Sequence, residues 1–457
     1  MIERTGISSS ARIQKPLLNR AINHVTRCTV LLGWLSLATG CAGIAEGVTS
    51  ALLGQAEEED TRACHIKGPA SLGLEAKLRQ QEHEREKKNQ TARTLKVIMV
   101  HGIGRHLPGY SGRLQENLIR ALKLDVADEL VKRVRIRLPQ SPEKSLGVLQ
   151  IHRYLNKART REVLFYELTW SDITEPAKEA LAFDDSGEHA FRRAGINKMM
   201  KSFFNSHVPE LLIYVGNARR DIQTSVQQSF CWATTGDWQD LPKETAAWCD
   251  LTDSRRAKYM REDDYAIITH SLGSRIVVDM IQEIGNALTE DKDLRNFQDA
   301  VRNKRVPIYM LANQLPLLQL GREPVSIRDK VAEYCRPAGR LYSQRAIGEL
   351  AIYAFSDPND ILSYAIPPRF VEESIDSRLC PRVTNIVLNV AKPISLFGIS
   401  DFANPIEAHT GYDNDSRVIG IITRGSGHDD VSPVVKNRCT VTETTRGKPS
   451  QLSHILP

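Results

Sequence analysis

The chain has 457 residues, enough for one large domain or two to three small ones, and its hydrophobic content of 41% is typical of a globular protein. The formal net charge is +6, but most of it lies in residues 1–41, which carry five Lys and Arg residues against one Glu. The rest of the chain is nearly neutral, so a basic surface for nucleic acid is not indicated. The sequence also lacks a Walker loop, zinc-finger spacing, CxxC and HExxH.

The N-terminal segment contains an uncharged, largely apolar run, CTVLLGWLSLAT, at residues 28–39. It is too short for a transmembrane helix, which needs about 20 residues, and fits the apolar region of a secretory signal, about 7–15 residues. The run ends at Gly40-Cys41, which resembles the bacterial lipobox. This resemblance implies a signal peptide over 1–41 and lipidation of Cys41, with Ala42 favouring the outer membrane. The alternative is a buried helix of a cytosolic domain.

A polar tether is predicted over 42–92, because the runs AEEED and RQQEHEREKKNQ offer little to bury. A lipid anchor on Cys41 would hold the chain on the membrane while the body stays in water. The expected location is therefore the cell envelope, anchored to the outer membrane and facing the periplasm. The C-terminal residues 431–457 are predicted to form a tail.

Cysteine usage agrees with an oxidising compartment. Without Cys28 and Cys41 the chain keeps six cysteines, an even number that can pair in 15 ways. Cys231 and Cys249 are close enough in sequence for a local disulfide, with a pair of buried thiols as the alternative.

Strand and helix patterns alternate through the body of the chain. Six short apolar runs predict strands, and they lie at residues 95–100, 163–168, 265–269, 306–312, 351–355 and 383–390. After Ser271 the apolar positions recur at helical spacing, from Ile276 to Leu288. This alternation predicts an α/β fold with a mainly parallel sheet flanked by helices, whose functional groups gather at the carboxyl ends of the strands.

The stretch THSLGS places Ser271 between a predicted strand and a predicted helix. A serine on such a sharp turn is exposed above the sheet, and the helix N-terminus favours negative charge developing beside it. Small residues are expected two positions before and after the serine. Gly273 satisfies this expectation, whereas Thr269 stands where glycine is more usual.

This stretch resembles the nucleophile elbow of the α/β-hydrolases, the superfamily of serine esterases and lipases. The resemblance extends over about 95–425 and is weak between 105 and 260. Within the superfamily, the sequence is most similar to the lipase-like branch with an HG-x-G motif, which includes the GPI-inositol-deacylase-like proteins. The resemblance implies an α/β-hydrolase domain over 93–430. It also implies that the HGIG turn after residues 95–100 forms an oxyanion hole from the backbone N–H groups of Ile103 and Leu272.

The resemblance further implies a carboxylate and then a histidine after Ser271 in chain order. The loop SDPNDILSY offers Asp360, favoured because an apolar pair follows it, and Asp357, whose Asp-Pro-Asn context is typical of a turn. Three histidines follow, at 409, 428 and 454, of which His409 lies in the loop after the last predicted strand. His101 and His270 are expected to fix backbone geometry, and His106 to lie at the rim of the pocket.

Between His101 and Ser271 lie more residues than two further strands and helices need. The excess, about 80–100 residues, predicts a helical cap insertion at about 171–260, with an ordinary pair of core helices as the alternative. Trp170 is expected either to line the pocket or to pack on the sheet.

Together these expectations describe a serine carboxylester hydrolase that acts on a small-molecule or lipid ester beside a membrane and needs no cofactor or metal. The alternatives are an acyltransferase with the same three residues, and a hydrolase-fold envelope lipoprotein that binds without turnover.

Overall fold

A mixed sheet of twelve strands forms the centre of the computed structural model. The structure describes residues 64–87, 93–127, 131–182, 194–290, 294–392, 394–396, 400–427 and 430–442. The predicted signal peptide, including Cys28 and Cys41, lies outside these residues, as do His428 and His454. The sheet and the site described below belong to one compact unit, Thr61–Phe191 with Met200–Pro457.

Six neighbouring strands of the sheet are parallel, and they are the six that the apolar runs predict. The strands are β1 (Cys64–Lys67), β2 (Leu95–Val100), β3 (Asp125–Val126), β4 (Lys132–Leu138), β5 (Ser141–Leu155), β6 (Glu162–Thr169), β7 (Glu244–Ala246), β8 (Asp264–His270), β9 (Arg305–Leu311), β10 (Glu349–Ser356), β11 (Pro381–Leu388), β12 (Ile394–Leu396), β13 (Ser400–Phe402) and β14 (Thr440–Thr442). The sheet order is β14-β1-β11-β10-β9-β8-β2-β6-β5-β4-β7, with β3 paired to β5 and β12 paired to β13 in a separate hairpin. The parallel block runs from β11 to β6.

Helices cover both faces of this sheet. They are α1 (Leu74–Glu86), α2 (Gly112–Leu122), α3 (Glu175–Ala182), α4 (Gly195–Val215), α5 (Arg219–Ala233), α6 (Ser254–Glu262), α7 (Gly273–Glu290), α8 (Arg295–Arg302), α9 (Val331–Cys335), α10 (Pro368–Ser374), α11 (Pro405–Thr410), α12 (Ser416–Arg424) and α13 (Pro433–Arg438). Among the described residues, no helix combines the length and the apolar character that crossing a membrane requires.

Five of the six parallel strands are buried on both faces over nearly their whole length, which explains why their sequences are largely apolar runs, whereas burial alternates along β11. Along β2, Val97 and Met99 enter the core shared with α1, α2 and α12. Ile98 and Val100 enter the core shared with α5, α7 and α8. Because successive side chains of a strand point to opposite faces, each strand joins the two helical layers. The structure is therefore an α/β fold with a mostly parallel sheet between helices.

The fold extends beyond both ends of the predicted domain. Strand β1 pairs with β11 and with β14, and Cys64 forms a disulfide with Cys439. The prediction of a polar tether is wrong for its described part, 64–87, because this segment supplies an edge strand and a helix that buries Leu74 and Leu78. The predicted tail is likewise wrong for 433–442, which forms α13 and β14.

The region between 105 and 260 differs most from expectation. Strands β4, β5 and β7 extend the sheet beyond β6, although no strand is predicted there. Helix α5 is largely buried and packs against β2, β5 and β6, so the cap prediction is wrong for Arg219–Ala233, which is a core helix. The local disulfide predicted between Cys231 and Cys249 is present, and a third joins Cys335 to Cys380.

Candidate active site

Ser271 lies on a sharp turn between β8 and α7, at the carboxyl edge of the sheet. Its φ angle is +55°, in the left-handed region. This conformation costs an L-residue roughly 1–3 kcal/mol, so it persists only where the surroundings hold it. The N–H of Ser271 donates a hydrogen bond to the carbonyl of Leu311 in β9, at 2.8 Å. The neighbouring strand therefore holds the strained residue in place.

Two glycines allow the end of β2 to approach this turn closely. A Cβ atom on Gly102 would lie 2.5 Å from both the carbonyl oxygen of His270 and the Cβ of Ser271, and 3.0 Å from the nitrogen of Leu272. A Cβ atom on Gly273 would lie 2.6 Å from the carbonyl oxygen of Val100. Any side chain at either position would separate the loop after β2 from Ser271.

Ser271, His409 and Asp360 form one chain of hydrogen bonds. The Oγ of Ser271 is 3.0 Å from Nε2 of His409, and Nδ1 of His409 is 2.8 Å from Oδ2 of Asp360. All three residues are buried. Burial raises the pKa of Asp360, but hydrogen bonds from His409, the N–H of Leu362 and Ser363 outweigh it, so the pKa is lowered. Asp360 is therefore ionised at neutral pH and accepts the Nδ1–H of His409, which leaves the Nε2 lone pair facing Ser271.

Asp357, the other carboxylate of this loop, has a different set of partners. Its Oδ2 accepts from the N–H groups of Val390 and Ala391, at 2.6 and 3.1 Å, while Oδ1 accepts from the backbone and side chain of Asn359. The Asp-Pro-Asn turn expected from the sequence is thus present. Asp357 holds the chain just after β11, whereas Asp360 contacts the histidine.

His270 fixes the position of His409. Its Nε2 is 2.8 Å from the carbonyl oxygen of His409, and the two rings meet edge to face with centroids 5.1 Å apart. Because a carbonyl can only accept, Nε2 of His270 carries the proton. Burial and the neighbouring His409 lower the pKa of His270 to about 3. His270 is therefore neutral at physiological pH, and its hydrogen bond confirms the prediction that it fixes backbone geometry.

The loop His101–Gly104, which the sequence resemblance predicts to form an oxyanion hole and which is called the oxyanion loop below, is held by side chains around it. Nδ1 of His101 lies 2.9 Å from the carbonyl oxygen of Gly102, while its Nε2 accepts the N–H of Trp170 at 3.0 Å. Burial is the main reason that the pKa of His101 is well below its ordinary value, so the ring is neutral and Nδ1–H donates to Gly102. In a trans peptide the C=O and N–H point in opposite directions. Fixing the carbonyl of Gly102 therefore also fixes the direction of the Ile103 N–H.

Trp170 and His106 complete this support. The indole of Trp170 is fully buried and stacks on His101, with ring centroids 4.5 Å apart, and its Nε1–H donates to the His101 carbonyl. Trp170 thus packs against the loop at the end of the sheet. Nε2 of His106 lies 3.1 Å from the carbonyl oxygen of Ile103, so His106 contacts the loop itself.

The structure brings together Ser271, Asp360 and His409, and it places Leu272 beside the oxyanion loop. His409 lies within α11, a short helix whose N-cap is Asn404, where the sequence predicts a loop. Thr269 is fully buried, and within the described part of the chain its hydroxyl has no hydrogen-bond partner. The described residues also include no group of three or more His, Cys, Asp or Glu side chains arranged to hold a metal ion.

One group at the site has no signal in the sequence. Glu210, in the region predicted as a cap, accepts the N–H of Gly104 although the two residues are 106 positions apart. No sequence motif marks such a contact, because it depends on how α4 is placed and not on local spacing.

No protein-family model matches this sequence, and no curated protein and no solved structure matches it either. Inference about function therefore depends on the geometry of the site.

Proposed function

We propose that this protein is a serine carboxylester hydrolase with an α/β-hydrolase fold, in which Ser271 is the nucleophile, His409 the general base and Asp360 the carboxylate that orients it. The observation that carries the proposal is the hydrogen-bond chain from Ser271 through His409 to Asp360, on a strained turn between a strand and a helix. The chain order of serine, carboxylate and histidine is that of the α/β-hydrolases.

The proposed reaction proceeds through an acyl-enzyme. His409 Nε2 takes the proton of Ser271 as Oγ bonds to the ester carbonyl carbon, whose oxygen becomes an oxyanion. The tetrahedral species collapses, the bond to the alcohol oxygen breaks, and the imidazolium of His409 protonates that oxygen. Water then adds to the acyl-enzyme with His409 again as base. Collapse of this second tetrahedral species breaks the bond to Oγ, releases the carboxylic acid and returns the proton to Ser271.

The oxyanion would be stabilised by the N–H groups of Ile103 and Leu272. Each such donor is worth about 10²- to 10³-fold in kcat when it is removed from a hydrolase. Ser271 and Leu272 are 0% exposed and Ile103 is 5% exposed. Substrate entry therefore requires neighbouring groups to move, since the carbonyl carbon must reach Oγ.

A lipid or other acyl ester is the proposed substrate class. Large apolar side chains are exposed on three loops at the carboxyl edge of the sheet: Leu107 after β2 at 64%, Leu320 after β9 at 76% and Ile361 after β10 at 72%. A contiguous apolar patch beside the site would favour contact with lipid or with an acyl chain, and these three side chains are the ones that we propose form it. We further propose the envelope location and the lipid anchor at Cys41. The three disulfides support an oxidising compartment.

Hydrolysis of p-nitrophenyl esters from acetate to palmitate tests the proposal, with the form that begins at residue 42. Ser271→Ala is expected to lower kcat by a factor on the order of 10⁶, as removal of a triad serine does elsewhere. His409→Ala should lower kcat by a similar factor, because the serine and the histidine act as a unit. Its matched control is His83→Ala, which removes an exposed histidine of α1 and should keep the wild-type activity.

Mass spectrometry after fluorophosphonate treatment should find the label on Ser271. If no ester is hydrolysed and Ser271 stays unlabelled, the proposal is wrong and the binding protein is favoured. If acyl groups pass to an added alcohol in preference to water, the protein is an acyltransferase.

A further inference from the structure

Helix α4 brings a buried carboxylate to the oxyanion loop. Glu210 is 0% exposed, and its Oε2 accepts the backbone N–H of Gly104. Its Oε1 lies 2.8 Å from Nζ of Lys178 and 3.2 Å from Oγ1 of Thr174. The Thr174 hydroxyl shares its one proton with the nearer carbonyl of Ser171, at 2.9 Å, so the full donors to Glu210 are the Gly104 N–H and Lys178. These two donors come from separate parts of the chain and converge on one carboxyl group, beside the loop that faces Ser271.

A carboxylate buried this deeply is costly unless each oxygen has partners. Lys178 supplies the compensating charge, and the side chain of Lys178 also contacts Glu175 at 2.6 Å. Burial lowers the pKa of Lys178, but its hydrogen bonds to Glu175 and Glu210 outweigh that effect and the pKa is raised. The lysine is thus charged across the physiological range. Without this cation, a fixed negative charge beside the loop would oppose an oxyanion forming there.

The contact with Gly104 determines the orientation of a peptide group next to Ile103. In the Ile103–Gly104 peptide, the carbonyl accepts from His106 and the N–H donates to Glu210. His101 holds the preceding peptide through the carbonyl of Gly102. Gly104 has a φ angle of +102°, a region that glycine enters freely, so the loop has little stiffness of its own. Ile103 is therefore fixed from both sides by side chains, and Glu210 is the one that comes from α4.

We propose that Glu210 is a positioning residue for the oxyanion hole, which directs the N–H of Ile103 toward the reacting carbonyl by holding Gly104. This inference rests on the proposed ester hydrolysis. Glu210 does not contact the reacting atoms, and its effect passes through the backbone. The carboxylate acts in the transition state, where the oxyanion exists, and not in the binding of the ground-state ester.

The test compares kcat and KM of Glu210→Ala and Glu210→Gln with those of the wild type, on the best p-nitrophenyl ester. Glu210→Ala should lower kcat about 10- to 100-fold with little change in KM, less than the 10²–10³ lost when a donor is deleted outright. Glu210→Gln keeps an oxygen that can accept from Gly104 and should recover most of that loss. A purely structural role would instead change stability without separating kcat from KM.

Two control variants remove other hydrogen bonds made by α4 and by Lys178. Tyr214→Phe removes the hydrogen bond from α4 to Asp279 one turn beyond Glu210, and Glu175→Gln removes the other carboxylate at Lys178. Both should leave kcat within about twofold of the wild type. If Glu210→Ala is as active as the wild type, or if Tyr214→Phe loses as much kcat, the positioning role is wrong.

Hydrogen exchange of the peptide containing residues 102–106 separates this inference from the proposed function. Faster exchange in Glu210→Ala than in Tyr214→Phe supports the role of Glu210 in fixing the Gly104 N–H, even if no ester is hydrolysed. Equal exchange in the two variants overturns this role. Absence of hydrolysis and of Ser271 labelling in the wild type refutes the proposed function alone.

Discussion

On one side of Ser271 lies a pair of side chains, His409 and the Asp360 that it contacts, and on the other lie backbone groups of the oxyanion loop. The first side is made by residues that follow β10 and the β12–β13 hairpin, within 49 positions of each other. The second side is held by Trp170 and Glu210, which are 69 and 106 positions away from their partners in the loop. Side-chain chemistry can be recognised in a sequence, whereas the support of a backbone group depends on the whole fold.

The largest expected difference in kcat between neighbouring residues is the one between Asp360, which contacts His409, and Asp357. Asp360→Asn should lower kcat about 10⁴-fold, because the amide can donate to Nδ1 and so place the histidine proton on Nε2, facing Ser271. Asp357→Asn should leave kcat nearly unchanged but lower the free energy of unfolding by about 1–3 kcal/mol, because each carboxylate oxygen of Asp357 accepts from two N–H groups and the amide keeps only one of these oxygens. Steady-state kinetics and urea unfolding of both variants provide the measurement. Equal losses of kcat would show that the two carboxylates are not distinct.

Adding one methyl group to Gly102 tests the close approach of the oxyanion loop to Ser271. Gly102→Ala would place its Cβ 2.5 Å from the Cβ of Ser271, so the loop must withdraw and the oxyanion donors separate. We expect a loss of kcat of about 10²- to 10³-fold, similar to removal of an oxyanion donor. Gly112→Ala is the matched control, because nothing lies within 4 Å of a Cβ there. Full activity in Gly102→Ala would contradict the close approach of the two turns.

The smallest expected effect concerns His270, which holds the backbone of His409. Its pKa is lowered to about 3 in the fold, against about 6.5 in an unfolded chain. Between these values the unfolded state binds more protons, so this histidine makes the fold less stable as pH falls below 6.5. The contribution is about 1.4 kcal/mol per pH unit. The free energy of unfolding, measured with urea at pH 7, 6 and 5, should therefore fall less with pH in His270→Gln than in the wild type. An equal fall in both proteins would show that the pKa of His270 is not lowered.

The sequence was sufficient for the parallel core of the fold. All six predicted strands are present: five are buried nearly throughout and are short apolar runs, whose length favours a strand over a buried helix, while β11 mixes apolar and polar residues. Strand β4, KRVRIRL, has the alternating pattern of a strand with one exposed face, and its charged residues keep it from being one of the apolar runs that predict the parallel strands. Helix α1 buries only three of its thirteen residues, so its largely charged sequence is typical of an exposed tether.

For the site, the sequence predicted Ser271, Asp360 and His409, which the structure places in contact. These residues could be predicted because each one follows a strand and because the order serine, carboxylate, histidine along the chain is that of a known family. The apolar pair after Asp360 favours it over Asp357, and in the structure it is Asp360 that contacts His409. Glu210 and Lys178 could not be predicted, because their only relation to the loop is spatial.

The Cys64–Cys439 disulfide joins the first strand described, β1, to the residue directly before the last, β14, at one edge of the sheet. A pull applied to the chain before Cys64 and after Cys439 is therefore carried by this covalent bond, and the residues between the two cysteines bear no tension while it is intact. Strand β8 lies four steps away from β1, roughly 19 Å at about 4.8 Å per step. The fold thus behaves as a closed ring under mechanical load, with Ser271 set well away from the point where force would enter.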